Sequence, residues 1–337
     1  MFAVASYNEA AEIRKTLPDC DILILGLCGE AQLMKAIQAG LQLTVFSKAY
    51  ADKVIAAAEA AGRKARVHIK VETGLNRLGY AADEVTDAVA AARMAKINNI
   101  SLDLIYGLPH QTMEQWQDTV RTAAALEVEH LSCYGLKVEE GTPLYARRES
   151  AQLPDDEAQA EMYLWTVDYL EKHGYHQYEI SNFARDGYES RHNRKYWSLS
   201  PYAGFGPGAH SDFSNVRFAY TRDLHSYING SLELSEREDI SPRDRMQEYI
   251  MLSLRTVDGI DRTCFERQYR QRFAPMEPLL EQYQRHGLAA PTEKGWRLTA
   301  EGFLVSNAII VSLQEAVGQA AQERLRRAQE GDFRILE

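Results

Sequence analysis

The sequence predicts an α/β fold, an incomplete parallel (β/α)6 barrel followed by a small C-terminal helical domain of winged-helix type. Two observations carry this expectation. Up to Gly135, short apolar runs alternate with amphipathic helical stretches, the rhythm of repeated βα units on a parallel sheet. From about Pro242 the chain turns helical again and ends in the pattern HGLAAPTEKGWRLTAEGFLVSNAII, which reads as helix, small hairpin, helix.

The elements follow in order. FAVAS is a strand, followed by a helix around Glu9 to Lys15. DILILG precedes a helix over Glu30 to Gln38, and LTVFS precedes one over Ala49 to Ala61. VHIKVET precedes a helix from Ala82 to Ala95. Ile100 to Tyr106 and His130 to Gly135 are two further strands, separated by a helix from Met113 to Ala125. Six strands with right-handed crossovers curl into an open barrel whose functional loops lie at the carboxyl ends. After Gly135 the sequence is turn-rich, aromatic and polar, and is expected to form loops over a sheet edge or cleft. The charged end, AAQERLRRAQEGDFRILE, reads as a solvated helix or frayed tail.

At 337 residues, 45% of them hydrophobic, the chain can bury one large core and a smaller one. A net charge of -10 argues against general affinity for nucleic acid or anionic membrane, because polyanions are repelled at long range. No run approaches the ~20 apolar residues of a transmembrane helix, and the start lacks the basic-then-apolar order of a secretion signal. The expected location is the cytoplasm. Cys20, Cys28, Cys133 and Cys264 form no close pair, which fits reduced thiols better than a disulfide framework or a cluster loop.

Several side chains invite chemistry. His192 lies in the polar, aromatic stretch RHNRKYW, and imidazole is a common axial ligand of haem iron; the alternative is that His192 and Asn193 only fix a loop by hydrogen bonding. Tyr196 and Trp197 are placed to pack on a porphyrin face. Asp103, where a buried strand meets its loop, can anchor a ligand hydroxyl or cap a helix. Gly204, Gly206 and Gly208 suggest a phosphate loop, but without a strand before and a helix after them, tight turns against the barrel fit better. His173 and His176 have no cysteine or carboxylate spaced to complete a metal site and read as surface residues.

Two resemblances divide the chain. FAVASYNEAAEIRK, LQLTVFSKAYADKVIAAAEAAGRKARV and ARVHIKVETGLNRLGY, within residues 1–80, resemble the pyridoxal-phosphate barrel of alanine racemases. The resemblance implies that Lys70 is that family's often carbamylated lysine, and that Arg77 is the arginine it orients near the cofactor. The other reading of Lys70 and Arg77 is a strand-end ion pair. The family's aldimine lysine and catalytic tyrosine have no counterparts here.

From about Ala82 to Ala316 the chain resembles the haem chaperone branch of the radical-SAM coproporphyrinogen III oxidase family. The resemblance rests on ADEVTDAVAAARMAKINNISLDLIYGLPHQTMEQW, HLSCYGLKVEEGTPL, YEISNFARDGYESRHNRKYW, YAGFGPGAHS and WRLTAEGFLVSNAI. It implies haem binding through the HNxxYW motif, here His192, Asn193, Tyr196 and Trp197, and S-adenosylmethionine contact at Asp103. It also implies transfer of haem to an acceptor protein. The family's CxxxCxxC motif, which holds a 4Fe–4S cluster, does not occur in these residues, so radical chemistry and catalytic residues are not expected.

The organisation read from these features is racemase-like βα units over residues 1–80 and a haem-chaperone-like barrel portion with loops over 81–240. A helical domain follows over 241–317, then a charged tail over 318–337. The leading functional expectation is haem binding and transfer. A pyridoxal-phosphate racemase remnant and an inactive hybrid of two barrels are the alternatives.

Overall fold

The computed structural model describes residues 2–70, 84–94 and 96–329. The chain divides into two compact units, Met1–His176 with Ser181–Tyr188, and Gln177–Ile180 with Glu189–Glu337.

The first unit opens with β1 (Phe2–Val4), α1 (Tyr7–Thr16), β2 (Ile22–Ile24), α2 (Glu30–Gln38), β3 (Gln42–Val45), α3 (Lys48–Ala61) and β4 (Arg66–Ile69). These strands pair in parallel in the order β1-β2-β3-β4. Both β2 and β3 are buried along their whole length, as strands covered on both faces must be. The polar residues of β3 are satisfied: Thr44 Oγ1 donates to Ile24 O at 2.8 Å, and Gln42 Oε1 lies 2.7 Å from His68 Nε2. Helix starts follow local chemistry. Ser6 and Ser47 accept from the backbone N–H three residues on, and α3 stops at Gly62, whose φ of 62° few other residues adopt.

Next come α4 (Val85–Met94), β5 (Ser101–Tyr106), α5 (Met113–Ala125) and β6 (His130–Gly135), with β5 and β6 parallel over six residue pairs. A capping box of Thr112 and Gln115 starts α5. Then follow α6 (Pro143–Ala146), α7 (Asp156–Lys172), β7 (His176–Glu179) and β8 (Asn182–Ala184), and β8 pairs antiparallel with β6. Among the described residues the six expected parallel strands are thus hydrogen-bonded as four and two.

Two cores result. Ile22, Ile24, Leu33, Leu43, Val45 and Val54 form one. Leu102, Trp116, Val120, Leu131, Met162 and Phe183 form the other. Helix α4 enters both, Ala88 in the first and Val89 with Ala92 in the second, and Val85 packs against each. Each large apolar side chain buried this way contributes about 1.5–3 kcal/mol.

The second unit contains α8 (Arg191–Trp197), β9 (His210–Phe213), β10 (Val216–Tyr220), α9 (Leu224–Ile228) and β11 (Leu234–Asp239). The stretch expected as loops therefore contains a three-stranded antiparallel sheet, β11-β10-β9. Its first turn is Ser214-Asn215, both at positive φ (54° and 61°), the two-residue geometry whose twist suits a hairpin.

The rest is α10 (Pro242–Ser253), β12 (Ile260–Asp261), α11 (Arg262–Tyr269), α12 (Glu277–Arg285), β13 (Ala289–Pro291), β14 (Gly295–Leu298), α13 (Ala300–Leu304) and α14 (Ser306–Gln329). The expected helix, hairpin and helix are there, and β12 joins the hairpin to give the order β12-β14-β13. Glycine is required at 302, where a Cβ would stand 1.9 Å from Leu288 O.

Candidate functional site

The segment His192 to Trp197 is not a loop but most of α8. Ser190 makes the helix: its Oγ accepts from Asn193 N at 3.2 Å, satisfying one of the orphan donors of the first turn. Helical spacing then sorts the motif onto different faces. Arg191, Arg194, Lys195 and Ser198, at intervals of three and four, face a cavity of about 770 Å³, and Trp197 also lines it. His192, Asn193 and Tyr196 are not among its lining residues. His192 is exposed, its ring edge-on to Tyr196 at 5.1 Å between centroids, and Tyr196 in turn meets Tyr202 at 4.9 Å. Asn193 is half-buried.

Behind the cavity lies a charge network. Arg245 reaches both oxygens of Asp212, at 2.8 and 2.9 Å, and Glu248 at 2.9 Å. Arg217 donates to Asp212 at 3.2 Å and to Glu248 at 2.6 Å. The hydrogen bond from Arg245 holds the Asp212 carboxyl below the usual carboxylate range. On the α8 side, Arg194 donates to Asp258 at 2.8 Å. Tyr178, Tyr249 and Trp197 supply aromatic wall. Burial, with the Cys264 thiol close by, raises the Tyr249 hydroxyl and keeps it protonated. Sequence reasoning missed Arg191, Lys195, Asp212 and Arg245. The i,i+4 pair of cations, one just before the motif and one within it, was the available signal for the first two; the Asp212–Arg245 contact spans 33 residues and had none.

The other candidates are dispersed. Asp103 is mid-strand in β5, opposite Ser132, with an exposed side chain, so it does not stand at a strand–loop junction. Lys70 is half-buried just past β4, its N–H donating to Val45 O at 2.8 Å. Arg77 lies outside the described residues. The glycines of AGFGPGAH have their donors used internally: Gly204 N donates to Ser211 Oγ at 2.9 Å and Gly206 N to Tyr227 OH at 3.1 Å. Gly204 packs on the β9 hairpin, where a Cβ would lie 2.2 Å from His210 O. His173 stacks on Tyr169 at 4.0 Å, and His176 pairs with Glu171 at 2.8 Å, both at the surface.

The thiols do not fit an iron–sulfur cluster. Cys28 and Cys133 are buried in different cores, and burial pushes the Cys28 thiol up to about 11 and Cys133 higher still, opposite to the thiolate a cluster needs. Cys20 donates to Leu17 O, and Cys264 belongs to the second unit. Among the described residues no three His, Cys, Asp or Glu side chains gather as a metal site.

Comparison with known proteins shows a composite chain. Residues 1–134 match the model of the alanine racemase N-terminal domain, and residues 240–305 that of the HemN C-terminal domain. The structure of coproporphyrinogen III oxidase (HemN) from Escherichia coli, a radical SAM enzyme, superposes with a TM-score of 0.65 at 20% identity. It covers 87% of this chain and 77% of that one, which shows a shared fold. The mitochondrial radical S-adenosyl methionine domain-containing protein 1 of Bos taurus is 31% identical over 75% of this chain, which spans 62% of its length. The heme chaperone HemW of Lactococcus lactis is 33% identical over 59% of this chain, which spans 54% of its length. The Bacillus subtilis heme chaperone HemW is 32% identical over 72% of this chain and 71% of its own length, and on that match the chain belongs to the heme chaperone HemW family.

Proposed function

We propose that this chain binds haem at α8 and passes it to an acceptor protein in the cytoplasm, without radical chemistry from its own cysteines. The observation that carries the reading is an exposed imidazole, His192, on a helix that also presents Tyr196 and Trp197, in a member of the heme chaperone HemW family. Haem is cargo here. A ring nitrogen of His192 holds the iron, Tyr196 beside it gives apolar contact to the macrocycle, and Trp197 does so from the cavity side. Exposure of the site keeps the cargo within reach of an acceptor, and the T-shaped contact with Tyr196 limits the imidazole's orientations. S-adenosylmethionine and a 4Fe–4S cluster are properties of the wider family. Asp103 is the residue read as the S-adenosylmethionine contact, and no step here passes through either group. The racemase-like strands serve as scaffold in this reading. Pyridoxal phosphate is not expected to bind at Lys70.

Haemin titration tests it. The parent develops a Soret band at one equivalent; His192→Ala shifts that band and weakens binding by about tenfold or more, and His210→Ala does neither. Identical spectra and affinity for the parent and His192→Ala overturn the assignment.

A further inference from the structure

We propose that the cavity beside α8 is a carboxylate-reading site, in which Arg191 and Lys195 bind the two propionates on one edge of a porphyrin while His192 serves the iron from the neighbouring face. The inference rests on the haem reading above for its cargo, but on different residues for its evidence.

The argument is one of charge balance. Four cations line the cavity, Arg191, Arg194, Lys195 and Arg245, against two carboxylates, Asp212 and Asp258. Arg245 and Arg217 are matched by Asp212 and Glu248, and Arg217 also reaches the exposed Glu238 at 3.4 Å. Arg194 is matched by Asp258 at 2.8 Å and also faces Glu189 at 3.9 Å. Arg191 and Lys195 are left with no ion pair among the described residues. They stand one turn apart on the same helix face, where like charges repel, and both, though exposed, border the cavity. That arrangement is relieved by an anion, and by a dianion best. In a chain of net charge -10, which repels anions at long range, two neighbouring cations without ion pairs of their own give an anionic ligand a place to bind.

The remaining walls select the body of that ligand. Trp197, Tyr178 and Tyr249 offer flat apolar surface with a polar edge, and the volume of about 770 Å³ lies inside the roughly 300–1,000 Å³ range of small-molecule sites. A planar aromatic plate carrying two carboxylates on one side matches this lining. A phosphate or a simple dicarboxylate has no use for the aromatic wall.

The test removes the iron, so that it does not depend on His192. Metal-free protoporphyrin IX and its dimethyl ester are titrated into the full chain and followed by porphyrin fluorescence anisotropy. The parent is expected to bind the diacid about tenfold or more tighter than the diester. Arg191→Gln with Lys195→Gln brings the two within about twofold, whereas Arg191→Lys with Lys195→Arg keeps the preference, as does His192→Ala. Arg237→Gln, an exposed cation away from the cavity lining, changes nothing. If the parent shows no diacid preference, does not bind the metal-free porphyrin, or keeps the preference in the glutamine double variant, the cavity assignment is overturned. The haemin titration with His192→Ala then still decides the iron ligand on its own. If instead the preference follows Arg191 and Lys195 while haemin spectra ignore His192, the cavity stands and the iron ligand lies elsewhere.

Discussion

Arg245 holds Asp212 through both guanidinium nitrogens, Nη2 to Oδ1 at 2.8 Å and Nη1 to Oδ2 at 2.9 Å, with both side chains largely out of solvent. The bond joins α10 to β9. Removing one partner of a buried pair strands the other, so Asp212→Ala is expected to cost about 3 kcal/mol at neutral pH, with Glu248 limiting the loss. The sign with pH follows from the lowered carboxyl: its stabilising effect is present above the ordinary aspartate value, about 3.9, and disappears as the pH falls through the depressed folded value. Urea unfolding at pH 7 and in strong acid measures both. A variant that matches the parent at pH 7, or a gap between the two that does not narrow in acid, contradicts the account.

A second prediction concerns the first unit. Trp116 is fully buried, and its Nε1 donates to Thr166 Oγ1 at 2.8 Å, linking α5 to α7. Trp116→Phe leaves most of the apolar body in place and is expected to cost about 1–2 kcal/mol, chiefly the lost bond. Trp116→Ala is expected to cost about 3–5 kcal/mol, from the lost burial and the cavity left behind. Chemical denaturation separates the two terms; equal losses for both variants contradict the packing contribution assigned to the indole.

The third concerns pH. His130 is buried in β6 with its Nδ1 2.8 Å from Ser101 Oγ, and burial lowers its imidazole pKa, with Asp103 opposing weakly. A base harder to protonate when folded means that the unfolded chain binds more protons, so stability is full above about pH 6.5 and declines as the pH drops below it. His130→Gln is expected to flatten the decline between pH 7 and pH 5. Parallel pH–stability curves for parent and variant refute this.

Fourth, anaerobic reconstitution with iron and sulfide is expected to leave about zero cluster per chain, since the four thiols sit on separate elements and two are held protonated by burial. Iron and sulfide at four each per chain, with a cluster spectrum, is the contrary result.

The barrel portion was legible because its signals are local. The boundaries of α2, α5 and β6 follow directly from apolar periodicity and, for α5, from a capping box. What escaped depends on distance or on short polar segments. Strand β11, LSERED, is exposed throughout and has no apolar alternation to mark it. Helix α8 carries its signal in one residue, the Ser190 cap, in a segment where the HNxxYW match drew attention to side chains rather than backbone. Its being helical decides which motif residues share a face, and so the cavity-facing Arg191 and Lys195 were not seen.

Helix α4 belongs to two cores at once, with Ala88 on one side and Val89 and Ala92 on the other. It therefore acts as the clasp of the first unit. Each sheet has its own buried set, so each can open as a separate cooperative segment, and amide exchange in β2 and in β6 need not share one free energy. Among the described residues the two buried sets meet at this helix, so their coupling depends on how firmly its ten residues stay helical. A chain built this way can have its first four strands replaced in evolution while the second sheet keeps its packing, provided that the small residues of that one helix are retained.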